Sequence, residues 1–304
     1  MYDAMLSRCS KYGIVLHVGA FSFGIKIARS DIAEEFLLLY QGFPFDDVPN
    51  LPDFRIELRS LNQLSRRLRR QIQTYIDGQP ALQPMSPHLG IPLVESAMNW
   101  CLGRRVTRHL LIHAAVLERD GRALVMPGPS GVGKSTLTTA LMSRGWRLLS
   151  DEVAIIDPRD GQLQPHPRPI SLKNETIDLI ASRYPDLTLT RRYEGTAKGQ
   201  VAYVKPPVHA ILHADRPARP SLVVAPRYDA ARALACDRVE KADSFMLMVR
   251  QSPNYDVLLE RGFETLADFT EACCHFSLRY SNLDAAVRAI DELSQASSED
   301  PKAA

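Results

Sequence analysis

Eight consecutive residues limit this chain more than any other feature. Gly128, Pro129, Ser130, Gly131, Val132, Gly133, Lys134 and Ser135 satisfy G-x-x-x-x-G-K-[ST] at every fixed position. A loop this rich in glycine can bring its main chain close enough to wrap backbone N–H donors around a phosphate chain. The β-rich run at residues 123–126 precedes it. A helical pattern at 135–144, ended by Gly145, follows it and points its positive N-terminal end at the bound anion. In that setting Lys134 reaches the β- and γ-phosphates of ATP, the Ser135 hydroxyl joins the Mg²⁺ shell, and Thr136 completes the binding segment.

Asp151 and Glu152 follow the short β-rich run 146–150, the first strand expected after the P-loop helix. Helix, turn and short strand would return the chain to the nucleotide face and bring both acids near Ser135. A P-loop kinase needs a carboxylate to hold the metal and profits from a base beside the acceptor hydroxyl. The short return favours a kinase over a motor or switch ATPase, and a solvated acidic turn is the plainer alternative. His113 lies in a run read as one strand over 110–118, sharing a face with Leu111 and Ala115. From the residues alone it reads as a satisfied core histidine more readily than as a site residue.

The bulk composition adds little. The 304 residues are 45% hydrophobic and 24% charged with a net charge of +2, as in an ordinary soluble globular protein. The near balance gives no electrostatic case for nucleic acid or an anionic membrane. No apolar run approaches the roughly 18 residues that span a bilayer. The first residues show no secretory signal pattern, so a cytoplasmic location is expected. Cys9, Cys101, Cys236, Cys273 and Cys274 lack CxxC spacing and suggest reduced, buried or partly buried thiols rather than a disulfide framework or zinc site.

Three segments are expected: a small α+β unit over 1–85, a P-loop catalytic domain over 86–296, and a disordered tail over 297–304. In the first, strands are expected at 14–18, 21–27, 54–58 and 72–76, with a helix at 31–40 opened by Ser30. Asp77-Gly78 is a hairpin turn signal, and the proline-studded stretch 80–92 reads as the linker. In the second, helices are expected at 93–105, 175–184, 241–250 and 262–273, with strands at 123–126, 153–156, 221–225 and 275–280. Asp120-Gly121 marks a second hairpin, and Ser281 caps the last helix. The class is α/β with a mixed sheet.

The runs His113-Ala-Ala-Val116, Gly128 through Thr136, and Trp146-Arg-Leu-Leu-Ser-Asp-Glu-Val153 resemble the catalytic domain of the bacterial HPr kinase/phosphorylase. They resemble more closely the HprK-related kinase A family found near exosortase (PEP-CTERM) loci. That likeness extends through Pro167–Glu175, Lys205-Pro-Pro207, Pro226-Arg-Tyr228 and Tyr280–Asp284. The resemblance implies a P-loop fold similar to phosphoenolpyruvate carboxykinase, and ATP-dependent phosphorylation of a protein or peptide serine. It also implies Asp151 as base, Glu152 as metal ligand, His113 close to the catalytic acid, and an oligomer as an unsurprising state. Glu152 stands where HPr kinases usually have Asp, and their Arg- and Gly-rich signature is not recognisable here.

Three further residues are candidate substrate or phosphate contacts. Lys173 precedes a helix that Asn174 is placed to cap. Lys198 lies in a Gly-flanked segment that reads as a lid or as an ordinary loop, and Arg227 follows a strand. The basic run 65–70 reads as a solvated face. A small-molecule kinase and a non-catalytic ATP-dependent binding switch stay open beside the protein-kinase reading.

Overall fold

The computed structural model describes residues 2–46, 51–61 and 70–299. Most of the basic run at 65–70 therefore lies outside the described residues. The chain divides into two compact units. One comprises residues 1–105 and 171–212, the other 106–170 and 213–304. The expected boundary at 85/86 is thus displaced: the helix at 90–105 belongs with the N-terminal unit, and a later excursion of the chain rejoins it.

The first unit opens with helix α1 (Tyr2–Lys11), which is not among the expected elements. There follow β1 (Ile14–Val18), β2 (Phe21–Ile27), α2 (Ser30–Leu39), β3 (Phe45–Asp46), β4 (Phe54–Ser60), β5 (Ile72–Ile76), β6 (Gln79–Met85) and α3 (Gly90–Arg105). The strands form one sheet in the order β3-β1-β2-β4-β5-β6. Strict alternation in β2 buries Phe21, Phe23, Ile25 and Ile27 on one face. Asp77 and Gly78, both at positive φ, make the β5–β6 turn. The proline-rich stretch is not a linker. Pro80 and Pro84 sit in the edge strand β6, where a missing N–H leaves no ladder bond broken. Pro87 starts a 3-10 turn, and Pro92 lies in the first turn of α3. Ser30 is the first residue of α2 rather than its cap.

In the second unit the chain forms β7 (Leu110–Ile112), β8 (Ala114–Arg119), β9 (Arg122–Pro127), α4 (Lys134–Met142), β10 (Arg147–Ser150), β11 (Ala154–Ile156) and β12 (Leu163–Gln164). It then crosses through β13 (Ile170–Lys173) to α5 (Glu175–Arg183), β14 (Tyr193–Thr196), β15 (Gly199–Val204) and α6 (Val208–Leu212) of the first unit. Within that unit the excursion is anchored by the Tyr193 hydroxyl donating to Glu35 at 2.7 Å. Asn174 does not cap α5 with its side chain. Its Oδ1 accepts from Gln200 N at 3.1 Å, bracing the hairpin of β14 and β15.

The second unit closes with β16 (Arg219–Tyr228), β17 (Ala235–Arg238), α7 (Lys241–Gln251), α8 (Tyr255–Leu258), α9 (Glu260–Glu271), β18 (Cys274–Tyr280) and α10 (Leu283–Glu299). Asn282, not Ser281, caps α10, its Oδ1 accepting from Ala285 N at 3.0 Å. The helix runs on through residues 297–299, in place of the expected start of a disordered tail. Cys236 is exposed on β17, contrary to the expected burial of the thiols.

The main sheet has the order β10-β8-β9-β16-β18-β17. Strands β9, β16 and β18 run parallel, and β8, β10 and β17 antiparallel to their neighbours. Both classes are therefore present, as expected of an α/β chain with a mixed sheet. Val116, Val125, Leu149 and Val223 pack with Met248 of α7 and Leu266 and Phe269 of α9. The 110–118 run is not one strand. It breaks at His113, where β7 leaves to pair with β11 in a second, three-stranded sheet. Buried Asn254 fixes that departure, accepting from Leu111 N at 3.0 Å and donating to the carbonyls of Val106 and His109 at 3.0 and 2.8 Å. No helix among the described residues is long and apolar enough to cross a membrane.

Buried His275 joins β18 to α7 and α9, with Nδ1 2.7 Å from the Ser244 hydroxyl and Nε2 2.9 Å from the Thr270 carbonyl. Burial holds its pKa below the ordinary histidine value. A depressed folded-state pKa means that the unfolded chain takes up the proton first as pH falls below about 6.5. Stability is therefore full above that pH and declines beneath it. Urea midpoints at pH 7.5 and 5.5 should show this decline in the wild type and a shallower one in His275→Gln. An unchanged slope in the variant would exclude His275 as its source.

Candidate functional site

The parallel strands β9, β16 and β18 end at one edge of the sheet, and the P-loop leaves β9 there. Ligands of open α/β sheets gather at such carboxyl-terminal edges. Gly128, Gly131 and Gly133 adopt φ of 149°, 93° and 101°, a region that L side chains rarely enter. Pro129, Ser130 and Gly131 form an exposed crest, while Gly128 below them is buried. Val132 and Gly133 then lead into α4, whose first residues are Lys134, Ser135 and Thr136. The end of α4 is closed as expected: Gly145 turns at φ 89°, and Trp146 N donates to Leu141 O at 3.2 Å.

Lys134 is 6% exposed. A buried ammonium needs acceptors. Its Nζ donates to the carbonyls of Gly128 and of Pro129, the latter at 2.9 Å, and lies 3.4 Å from His113 Nε2. The break at His113 creates this last contact. Pairing of Ala114 with Pro127 sets His113 beside Gly128, and the departure of β7 turns the ring away from the core. The core reading of His113 is therefore corrected: its side chain is one-third exposed and joins the P-loop lysine to the acidic pair. Nδ1 lies 2.9 Å from the Glu152 carbonyl, which only an N–H can approach, so Nδ1 carries the proton and Nε2 presents its lone pair to Lys134.

Asp151 follows β10 directly and is 5% exposed. The Ser135 hydroxyl donates to its Oδ2 at 2.9 Å, joining the first turn of α4 to the acidic pair. Ser150 Oγ accepts from Val153 N at 3.2 Å and shapes the turn between β10 and β11. Glu152 lies beside His113, with Oε2 3.7 Å from Nδ1. Two hard oxygen donors, Ser135 Oγ and Asp151 Oδ2, thus meet at the helix start with a further carboxylate nearby. Such a donor set suits Mg²⁺ accompanying a phosphate chain.

Two tyrosines complete the wall, and the residue patterns had assigned them no role. Tyr228, at the end of β16, donates its backbone N–H to Val132 O at 3.1 Å. Tyr280, at the end of β18, donates its hydroxyl to Gly133 O at 3.3 Å, and the two rings meet edge to face at 5.7 Å. Burial, and then the neighbouring Tyr228, push the Tyr280 phenol pKa up, so it remains a donor. Their sequence signal is a tyrosine at the end of each β-rich run, within the stretches 226–228 and 280–284 of the family resemblance.

Arg227 is exposed at the same sheet edge, on the opposite face of β16 from Tyr228 by strand alternation. Lys173 and Lys198 fall in the other compact unit. Lys173 N donates to the Thr176 hydroxyl at 3.1 Å, and Lys198 lies exposed in the turn between β14 and β15.

A family model described as SynChlorMet cassette protein ScmC matches residues 91–175. The matched stretch is less than half of the chain and contains His113, the P-loop, Asp151 and Glu152. A comparison with curated proteins returned no significant match.

Gly131 and Gly133 share a left-handed backbone but not the same surroundings. A Cβ at Gly131 meets open space, whereas one at Gly133 would run into the Tyr280 hydroxyl. Gly131→Ala should cost about 1–2 kcal/mol from backbone conformation alone, and Gly133→Ala measurably more in denaturant unfolding. Equal losses would show that Tyr280 does not confine the loop.

Proposed function

We propose that this chain is an ATP-dependent phosphotransferase that moves the γ-phosphoryl group to a hydroxyl, with a serine of a protein or peptide as the favoured acceptor. The single observation that carries the reading is the 2.9 Å contact between Ser135 and Asp151 at the start of the P-loop helix. It brings a phosphate-binding loop and a carboxylate together at the edge where three parallel strands end. The resemblance of residues 113–116, 128–136 and 146–153 to HprK-related kinases supports the same chemistry.

In this reading the backbone N–H groups of residues 128–135 hold the phosphate chain, and Lys134 releases its loop carbonyls to neutralise the β- and γ-oxygens. Ser135, Asp151 and Glu152 supply the oxygens that would hold Mg²⁺, which offsets charge on the phosphates when bound. Asp151 also accepts the proton of the attacking hydroxyl as the new O–P bond forms and the bond from the γ-phosphorus to the bridging oxygen of ADP breaks. His113, neutral with Nε2 toward Lys134, keeps that lysine aligned without adding a charge. The Tyr228–Tyr280 pair holds the second half of the loop at a fixed height above the sheet.

The test is transfer from γ-labelled ATP in a lysate of the host, with wild type, Asp151→Asn and Lys134→Ala run in parallel. Removing a positioned base costs about 10²–10⁴-fold, so Asp151→Asn should lose transfer on that scale while still binding ATP. Lys134→Ala should lose both. Label on a metabolite would replace the protein acceptor by a small molecule. Full transfer by Asp151→Asn would remove Asp151 from the reaction. Wild type that binds ATP but labels nothing would favour a nucleotide-dependent switch.

A further inference from the structure

The opposite edge of the same sheet carries a second basic feature that the phosphotransfer reading does not use. A cavity of about 290 Å³ opens where β9, β16 and β18 begin, with Arg122, Arg219, Ser221, Cys274, Ser297 and Asp120 among its lining residues. Arg122 and Arg219 are register partners in the parallel β9–β16 pair, so both side chains leave the same face one strand spacing apart. Like charges directly opposite each other on adjacent strands repel. Carboxylates would ordinarily relieve that repulsion, but among the described residues the nearby Glu118 and Asp291 are engaged elsewhere. Glu118 takes Arg147 and the Gly121 N–H, and Asp291 takes Arg119 and the Trp146 indole. Among the described residues neither Arg122 nor Arg219 has a carboxylate partner. Arg122 donates to the Ser297 carbonyl at 2.6 Å, and Arg219 is exposed. Among the described residues Asp120 is the one acid of the lining, where two guanidinium groups stand.

The strand is also irregular at this point. The β9–β16 register shifts between Pro220 and Leu222, placing a bulge at Ser221 on the cavity wall. Bulges leave backbone groups outside the ladder and re-aim a side chain, while Pro220 has no N–H to contribute. Paired guanidinium forks, a hydroxyl and an irregular strand make a receptor for a tetrahedral oxyanion, which two arginines can grip through several charge-assisted bonds.

We infer that the cavity at the starts of β9, β16 and β18 binds a phosphate group, either inorganic phosphate or a small phosphate monoester, at a site separate from the P-loop. At a rise of about 3.3 Å per residue, roughly 17 Å of β9 lies between Arg122 and the P-loop end at Pro127.

The probe is inorganic phosphate titrated by calorimetry into the full chain carrying Lys134→Ala, so that the P-loop contributes least. Saturable binding should persist in that background. Adding Arg219→Gln should weaken it at least tenfold, and Arg219→Lys, which keeps the charge but loses the fork, should weaken it less. Arg219 is exposed, so neither change threatens the fold. Glycerol 3-phosphate binding more tightly than inorganic phosphate would identify a monoester as the ligand, and equal affinities would identify the free ion. No saturable binding in the Lys134→Ala chain, or an unchanged affinity with Arg219→Gln, would overturn the assignment.

Discussion

Strand β9 is hydrogen-bonded on one side to antiparallel β8 and on the other to parallel β16, and the candidate site depends on this unequal pairing. On the antiparallel side the register sets His113 beside Gly128. On the parallel side the chain continues to Tyr228, whose N–H reaches Val132 at the far end of the loop. A slip of one residue in either ladder would turn every side chain of the affected strand to the other face. Both faces of β9 are buried, so a slip would force Ala123, Leu124, Val125 and Met126 into close-packed sites shaped for side chains of different volume. The packing that stabilises the sheet therefore also aims the loop.

Electrostatics supplies the next level. Lys134 is almost fully withdrawn from solvent, a costly position for an ammonium unless acceptors surround it. Two loop carbonyls and the His113 imidazole stand among its partners. Asp151 accepts from the Ser135 hydroxyl, and Glu152 lies toward His113.

Much of the secondary structure was legible in the chain. Alternation placed β1 and β2 at their observed limits, and Asp77-Gly78 and Asp120-Gly121 each make the turn that their composition suits. The misread segments have physical causes. Proline marks a loop only when its missing N–H would matter, and at the edge strand β6 it does not. The 110–118 run reads as one strand because nothing local records that β7 joins another sheet. That decision is made by Asn254, 143 positions away from Leu111, through hydrogen bonds that no sequence window contains. Asn174 and Ser281 are reasonable caps by type, yet Asn174 finds a competing partner in β15, and Asn282 stands one residue nearer the start of α10.

The sequence by itself determined the glycine-rich loop at 128–135, its strand and helix, and the acidic pair that follows. Each of these is a local pattern whose chemistry depends on residue type and spacing. Only the tertiary structure decided which side chains meet that loop. His113 reaches Lys134 because two sheets part at its position, and Tyr228 and Tyr280 reach residues 132 and 133 because three parallel strands end together. Arg122 and Arg219 become neighbours because parallel pairing sets their register. Such contacts join residues tens to well over a hundred positions apart. They are fixed by strand order and burial, which a linear pattern does not encode.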